Sequence, residues 1–347
     1  MNVAVVGCGY WGSKHVRVLH GLTEVERVVA VDQREDRLWS LRESFPGLET
    51  YSRLELALDR VDAVVIATPP RTHAPLALKA MAAGKSVLVE KPLATETAQV
   101  HAMMAEAAAR SVVLMVGHTF EYNGAVCKLR DLVRQGELGS VYYMDSARLN
   151  LGLYQSDVNV IWDLAPHDVS IFNYILGTAP VAVQAWASRH VHPFLEDVAY
   201  LRLWYQDPDV AANIHVSWLD PCKVRRVTVV GSSKMAVYND LSEERIRIFD
   251  KGVLVPDGSP PQGTPVSYRY GDILAPYFTF EEPLAAQDRE FVLCATSGRR
   301  PRADAMSGLA AVQVLEAADM SLRSGSRMTL PQLPPVESTS ENFLEVS

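Results

Sequence analysis

The feature that most constrains this chain is its opening dozen residues, Met1-Asn-Val-Ala-Val-Val-Gly-Cys-Gly-Tyr-Trp-Gly12. Val3 to Val6 is a β-branched apolar run of the length of a strand buried on both faces. Gly7-x-Gly9-x-x-Gly12 follows at once, and a helix-like stretch then runs from Ser13 to Gly21. Strand, glycine turn and helix in this order form the arrangement that cradles a dinucleotide. Gly7 permits the tight turn and Gly9 lets backbone amides approach a pyrophosphate. Gly12 lets the helix pack close to its strand, with its positive end toward the phosphates. Tyr10 and Trp11, inside the turn, either cover the pyrophosphate or pack against the protein. Glycines also punctuate ordinary turns, so corroboration has to come from the rest of the chain.

It comes from the ends of apolar segments. Arg27-Val-Val-Ala-Val-Asp32 reads as a second strand that ends in an acid 20 residues after Gly12. Such an acid accepts hydrogen bonds from the adenosine ribose hydroxyls, although it also suits a helix cap before Glu35–Ser44. The charge of Asp32 favours NAD over NADP, and Arg34 keeps NADP open. Val61–Thr68, Ser86–Glu90 and Val112–Gly117 are further strands, alternating with helical stretches Thr72–Ala83 and Thr95–Arg110. The alternation predicts an α/β, doubly wound parallel sheet of the Rossmann kind, whose ligands lie beyond the carboxyl ends of the strands. Thr68, Pro69, Glu90-Lys91-Pro92 and His118 fall at those ends. His73 either lines the nicotinamide pocket or only starts a helix.

After His118 the rhythm changes, and 347 residues exceed one ordinary core. The expected division is a dinucleotide-binding domain over 1–119 and an α+β domain over 120–347, with late helices at about 284–324 packing back on the first domain. The second domain reads as a helix over Asn123–Gln135, then seven strand-like segments between Val141 and Phe249, giving a large open, mostly antiparallel sheet. Asp163-Leu-Ala-Pro-His167-Asp168 opens a helix to Leu176, with Pro166 in its first turn. Residues 251–276 read as a long loop, and the tail from Pro331 as frayed or laid on the surface.

A formal charge of −8 argues against nucleic-acid and anionic-membrane partners. No apolar run approaches the ~20 residues that span a bilayer. The immediate first strand leaves no room for a signal peptide, and four scattered cysteines read as free thiols. A cytoplasmic location is expected. His190-Val-His192 lacks a third ligand by spacing, so no metal is expected.

With these residues in hand, the chain resembles the glucose–fructose oxidoreductase, inositol dehydrogenase and MocA family from Gly7 to about Leu330. The likeness rests on the glycine triplet, Ala67-Thr-Pro-Pro70 with His73, Glu90-Lys-Pro92, Asp163-x-x-x-His167 and the late helix pair. It implies hydride transfer between NAD, or NADP, and a secondary hydroxyl or ketone of a sugar or cyclitol. It also implies a homo-oligomer, dimer or tetramer, built on the open sheet. By position, Lys91 corresponds to the lysine that holds the reacting oxygen, His167 to the acid/base, with Asp163 nearby, and Pro92 to a cis-proline. Histidine where some relatives carry tyrosine matches the inositol-dehydrogenase-like pattern.

A histidine titrates near neutrality, and an ammonium beside it stabilises negative charge on the oxygen and depresses the histidine pKa. Asp163 or Asp168 orients His167; the sequence does not choose. Tyr122, Asn150, Tyr154 and Trp162 are expected on the substrate side by position alone. The stretch from Asn150 to His167 resembles members that act on nucleotide-linked sugars, whose phosphates Arg148 or Arg189 would meet. Inositol or cyclitol dehydrogenation, a different reaction on the same fold, and a non-catalytic NAD(P)-binding sensor are the rival readings.

Overall fold

The computed structural model describes residues 1–152, 154–155, 157–206, 208–254 and 267–333. Strands β1 (Asn2–Val6), β2 (Arg27–Val31), β3 (Glu49–Tyr51), β4 (Ala63–Ile66), β5 (Ser86–Val89) and β6 (Leu114–Val116) make one sheet in the order β3-β2-β1-β4-β5-β6. Every pairing in it is parallel. Helices α1 (Tyr10–Gly21), α2 (Glu35–Ser44), α3 (His73–Ala82) and α4 (Thr97–Arg110) alternate with the strands. With α1 against β1 and β2, α3 against β4 and β5, and α4 against β6, these five strands are buried almost along their whole length, so they read as continuous apolar runs. The strand order reverses between β1 and β4, which opens a crevice outside their carboxyl ends. The edge strand β3 is too short and too polar for its sequence to announce it.

Helix α5 (Gly124–Arg134) is capped by Asn123, whose side chain accepts from the Ala125 amide at 3.0 Å. The second sheet contains β7 (Val141–Leu151), β8 (Ala182–Ser188), β9 (Val198–Gln206), β10 (Asp209–Ser217), β11 (Leu219–Gly231), β12 (Met235–Asn239), β13 (Ile246–Leu254), β14 (Ser267–Leu274) and β15 (Met328–Thr329). Their order is β14-β13-β12-β11-β7-β10-β9-β8-β15, and β7 with β10 is a parallel pair in an otherwise antiparallel set. Alternation along β9 buries Ala199, Leu201, Leu203 and Tyr205 and leaves Tyr200 and Arg202 outside. The inner face packs on α5, α6 (Val160–Leu176) and α8 (Ala305–Ser324). The outer face presents exposed Trp186 and Tyr200, the latter stacked on His215 at 4.0 Å.

Two expectations need correction. The long loop over 251–276 is displaced at both ends by regular structure, since β13 runs to Leu254 and β14 pairs with it. This hairpin stands at the sheet edge with β14 almost wholly exposed, so no buried face imposes an alternating pattern on its sequence. The residues between, 255–266, and most of the tail from Pro331 lie outside the described residues. Helix α6 begins at Val160, capped by Asn159 accepting from the Trp162 amide at 3.1 Å. Pro166 is therefore inside the helix, not in its first turn. It supplies no amide to the Trp162 carbonyl.

The chain returns to the first sheet at its end. Helix α7 (Pro283–Ser297) packs on α1, and α8 packs on α4 and β6. Beside β6, the Val116 amide donates to the Ala303 carbonyl at 2.9 Å.

Candidate active site

The glycine turn leaves β1 with Gly7 at φ +87°, a conformation L side chains resist, and a β-carbon there would sit 2.7 Å from the Ala67 oxygen. On Gly12 a β-carbon would lie 1.7 Å from the Gly7 carbonyl oxygen. These two glycines are demanded by the protein's own packing. Gly9 differs, because its nearest neighbour is the Arg37 guanidinium at 3.8 Å. Gly9 caps α1 without any side-chain hydrogen bond, and the helix has no acid in its first turn. Its first amides are thus free for an anion. The residues present fit the pyrophosphate of a dinucleotide. Replacing Gly9 with alanine is expected to leave the melting temperature within about 2 °C and to weaken NADH binding about tenfold or more, read by fluorescence titration. A loss of fold equal to that of Gly12→Ala would contradict this division of roles.

Asp32 follows β2 and is turned toward the same loop. Its Oδ2 accepts from the Cys8 amide at 2.7 Å and from Arg37 at 3.1 Å, and its Oδ1 from the Arg34 amide at 2.8 Å. It braces the glycine turn, while Arg34 is the residue at the α2 cap position. The Arg34 guanidinium pairs with Asp36. Tyr10 and Trp11 stay on the rim, with the Lys14 ammonium 4.1 and 4.8 Å from their ring centres. Arg37 and Lys14 carried no motif and were not anticipated.

At the end of β4, Thr68 accepts from the Thr72 hydroxyl at 2.7 Å, beside the exposed Pro69. The His73 ring nitrogens meet the carbonyl oxygens of Pro92 and Thr68, each at 2.8 Å. His73 starts α3 and ties these two loops, with both ring nitrogens engaged by backbone carbonyls, which fits the second of its two expected readings. Lys91-Pro92 is a cis peptide. Glu90 is turned inward, with its Oε1 3.1 Å from His15 Nε2, while its Oε2 accepts from the Lys91 amide at 3.2 Å. His15 Nδ1 in turn faces both oxygens of buried Asp288 at 2.9 and 3.0 Å. His15 and Asp288 were missed; the signal was a polar residue on the buried side of each helix.

Lys91 reaches across to α6. Its ammonium donates to the Asp163 carbonyl at 2.7 Å and lies 3.4 Å from Asp163 Oδ1. Trp218 Nε1 donates to the other carboxylate oxygen at 3.0 Å. Asp163 and His167, four apart, share a helical face, yet among the described residues neither Asp163 nor Asp168 bonds to the imidazole. Asp168 is committed elsewhere, receiving buried Arg148 at 2.8 and 3.2 Å. That pair engages Nε and Nη2 of Arg148, whose buried Nη1 has no hydrogen-bond partner among the described residues, and exposed Arg189 pairs with Glu196 at 3.0 Å.

His167 packs against the Phe120 ring with centroids 5.2 Å apart, and its Nδ1 is buried without a hydrogen-bond partner among the described residues. Burial, then the charges of Lys91, Arg148 and Arg225, hold its pKa well below the usual histidine value of 6.5. His118 is buried, bonded through Nδ1 to Ser307 at 2.9 Å. Asn150 and Trp218 both flank Gly152, and Tyr154 packs on Trp218 at 5.3 Å with its hydroxyl buried and without a hydrogen-bond partner among the described residues. Of these three side chains, Trp218 is the one that reaches Asp163 among the contacts of the described residues. Tyr122 and Trp162 do not reach the site. The Tyr122 hydroxyl accepts from the Ala303 amide at 3.3 Å, and Trp162 donates to Asp319 at 2.8 Å. Both are large aromatics near the motif in sequence but recruited to the core. Among the described residues no His, Cys, Asp and Glu grouping could hold a metal, and no helix is long and apolar enough to cross a membrane.

Comparison with known proteins agrees with this architecture. Residues 1–118 match the oxidoreductase family model with an NAD-binding Rossmann fold, and residues 126–237 match the GFO/IDH/MocA C-terminal domain. Inositol 2-dehydrogenase 2 of Saccharopolyspora erythraea is 31% identical over 212 residues, 58% of this chain and 62% of that protein. UDP-N-acetylglucosamine 3-dehydrogenase of Acidithiobacillus ferrooxidans is 30% identical over 186 residues, 53% of this chain and 57% of that protein. The chain thus spans about three-fifths of the length of these curated relatives. The structure of GenD2 from gentamicin A biosynthesis, solved with NAD, superposes with a TM-score of 0.80 at 27% identity, covering 95% of this chain and 96% of that one. With both domains matched in order, the glycine turn and the Glu90-Lys91-Pro92 loop facing α6, the chain belongs to the GFO/IDH/MocA oxidoreductase family, and its first domain is an NAD-binding Rossmann fold.

Proposed function

We propose that this chain is an NAD-dependent oxidoreductase acting on a secondary hydroxyl or ketone of a sugar, and that the sugar is nucleotide-linked. The observation that carries the reading is the meeting of Lys91, from the end of the first sheet, with Asp163 on the helix that presents His167. NAD, when bound, supplies or accepts the hydride. Lys91 holds the substrate oxygen and stabilises the negative charge that develops on it. Asp163, fixed by Trp218 on its other side, aims the ammonium. His167, kept neutral, takes the hydroxyl proton in the direction of oxidation and returns it in reduction. Asn150 and Tyr154 border the substrate, while Asp32, the α1 amides, Thr68, Pro69 and Pro92 border the cofactor. A relative that is a UDP-N-acetylglucosamine 3-dehydrogenase supports the nucleotide-linked substrate; a relative that is an inositol 2-dehydrogenase supports the reaction type. Copies of the chain would meet through the outer face of the nine-stranded sheet.

The test is a panel of nucleotide sugars, free sugars and cyclitols followed by NADH absorbance, with turnover expected on nucleotide sugars first. Preference for inositol would replace the substrate class. NADH binding without turnover on any compound would favour a sensor. The pH profile checks the acid/base assignment. Because the His167 pKa is depressed, the neutral base persists to lower pH, so the acid limb of oxidation is expected below pH 6.5. Lys91→Met removes the largest charge acting on the ring and is expected to move that limb upward. A limb that stays in place would remove His167 from the role of base. By the same linkage, folding favours the neutral ring, a contribution present above about pH 6.5 and lost as the pH falls.

A further inference from the structure

One guanidinium near this site has no partner among the described residues. On β11, Arg225 stands directly opposite Arg148 of β7 in an antiparallel pairing. Residues so opposed project from the same face of a sheet, their β-carbons about 5 Å apart. Arg148 is neutralised by Asp168 through two hydrogen bonds. Arg225 is half-buried and has no ion pair, side-chain hydrogen bond or ring contact with any described residue. Asp240, the other acid acting on it, is occupied by the Tyr238 hydroxyl at 2.9 Å and by Arg245 at 3.5 Å. Like charges set opposite each other destabilise a sheet, so this arrangement is costly unless an anion arrives.

The local backbone is built around this position. Leu219 pairs with Leu151 and Val224 with Leu149, so residues 220–223 bulge opposite Asn150 alone. Bulges beside active sites re-aim side chains. Lys223 lies on this bulge, and it acts together with Arg225 on Tyr10 in the glycine turn, where Lys14 has the larger effect. Arg225 also acts on His167. The register therefore sets Arg225 beside the Arg148–Asp168 pair that links β7 to α6, with Lys223 two residues away on the bulge, a concentration of positive charge in a chain of net charge −8.

We propose that Arg225, with Lys223 beside it, binds an anionic group of the substrate, a phosphate or a carboxylate carried away from the reacting carbon. The proposal rests on the oxidoreductase reading above and narrows its substrate to a charged sugar, excluding free neutral sugars and cyclitols as the preferred ones. The phosphates of the cofactor are a second source of the same chemistry, and the experiment separates the two.

Calorimetric binding of inorganic pyrophosphate is measured on the full chain saturated with NADH, for the native protein, Arg225→Gln, Arg225→Lys and Arg226→Gln. Arg226 is the next residue on β11, exposed and projecting from the other face. Loss of a charge-assisted hydrogen bond is expected to raise the pyrophosphate Kd about tenfold in Arg225→Gln. Arg225→Lys should lose less, and Arg226→Gln should match the native protein. In turnover, Arg225→Gln should raise KM for a nucleotide sugar more than for the same sugar without its nucleotide. A selective rise for a sugar acid would assign the anion as a carboxylate and equally uphold the site. Equal pyrophosphate affinity in Arg225→Gln and the native protein would overturn the proposal, as would a loss confined to NADH affinity. Arg225-dependent pyrophosphate binding with no sugar turned over would uphold the anion site and refute the sugar reading.

Discussion

Lys91→Met is expected to lower kcat by about a hundred- to a thousandfold, the cost of removing one preorganised charge at a developing oxyanion. Methionine nearly matches the aliphatic length of lysine, so the change isolates the ammonium. NADH affinity should change far less, because the glycine turn and the α1 amides lie apart from the Lys91–Asp163 contact. The variant also strands Asp163, whose carboxylate keeps, among the described residues, the Trp218 bond at 3.0 Å alone. Lys91→Arg should recover only a fraction, because the fork of a guanidinium does not reproduce a point charge. The measurement is kcat and KM against NADH binding for each variant. Full kcat in Lys91→Met would remove this residue from the chemistry and leave the mechanism without its electrostatic element.

His15→Leu is expected to cost about 3–5 kcal/mol of stability, the usual penalty for breaking a buried ion pair from one side. The ring is completely buried between Asp288 and Glu90. Burial alone would lower its pKa, but the charges and hydrogen bonds of Asp288 and Glu90 outweigh it and push it up to about 10. Burial raises the pKa of Asp288, whereas His15 holds Glu90 below the ordinary value despite its burial. The imidazolium is bound more tightly in the folded chain than in the unfolded one. Its contribution is therefore complete below about pH 6.5 and is lost as the pH rises toward about 10. Urea unfolding as a function of pH should show this alkaline decline in the native protein and not in His15→Leu. Adding Asp288→Asn to His15→Leu should restore part of the loss by removing one stranded charge. A His15→Leu protein as stable as the native one would mean that the network carries no net energy.

The sequence was legible where burial left a periodic or unbroken apolar pattern. The first sheet is such a case: apolar runs at β1, β4 and β5 each end in a polar group, so both strand positions and ligand-facing ends could be read. Fidelity fell where burial exerts no pressure, at the edge strands β3 and β14. Lys91 and Asp163 could be read as neighbours because motifs mark the end of β5 and the first turns of α6, and the structure brings the two into contact, with His167 one turn further along the same helix. Tyr122 and Trp162 turn into the core, and His73 starts α3, the second of its two readings, because proximity along the chain says nothing about which way a ring turns. His15, Asp288, Trp218 and Arg225 were missed because each gains meaning only from a partner far away in sequence. Arg225 in particular depends on the register of β11 against β7, which no local pattern reveals.

The hydrogen bond from the Val116 amide to the Ala303 carbonyl has a consequence for how this molecule can come into being. Strand β6 closes the parallel sheet, yet its outer neighbour is encoded near the far end of the chain, as are α7 on α1 and α8 on α4. During synthesis the first sheet leaves the ribosome with an unpaired edge and uncovered helix faces, which is the condition that invites misassociation. A fragment ending at residue 119 would carry the whole glycine turn without the Asp288 that neutralises His15. The two halves are one folding problem, and the last helices to be made seal the first strands.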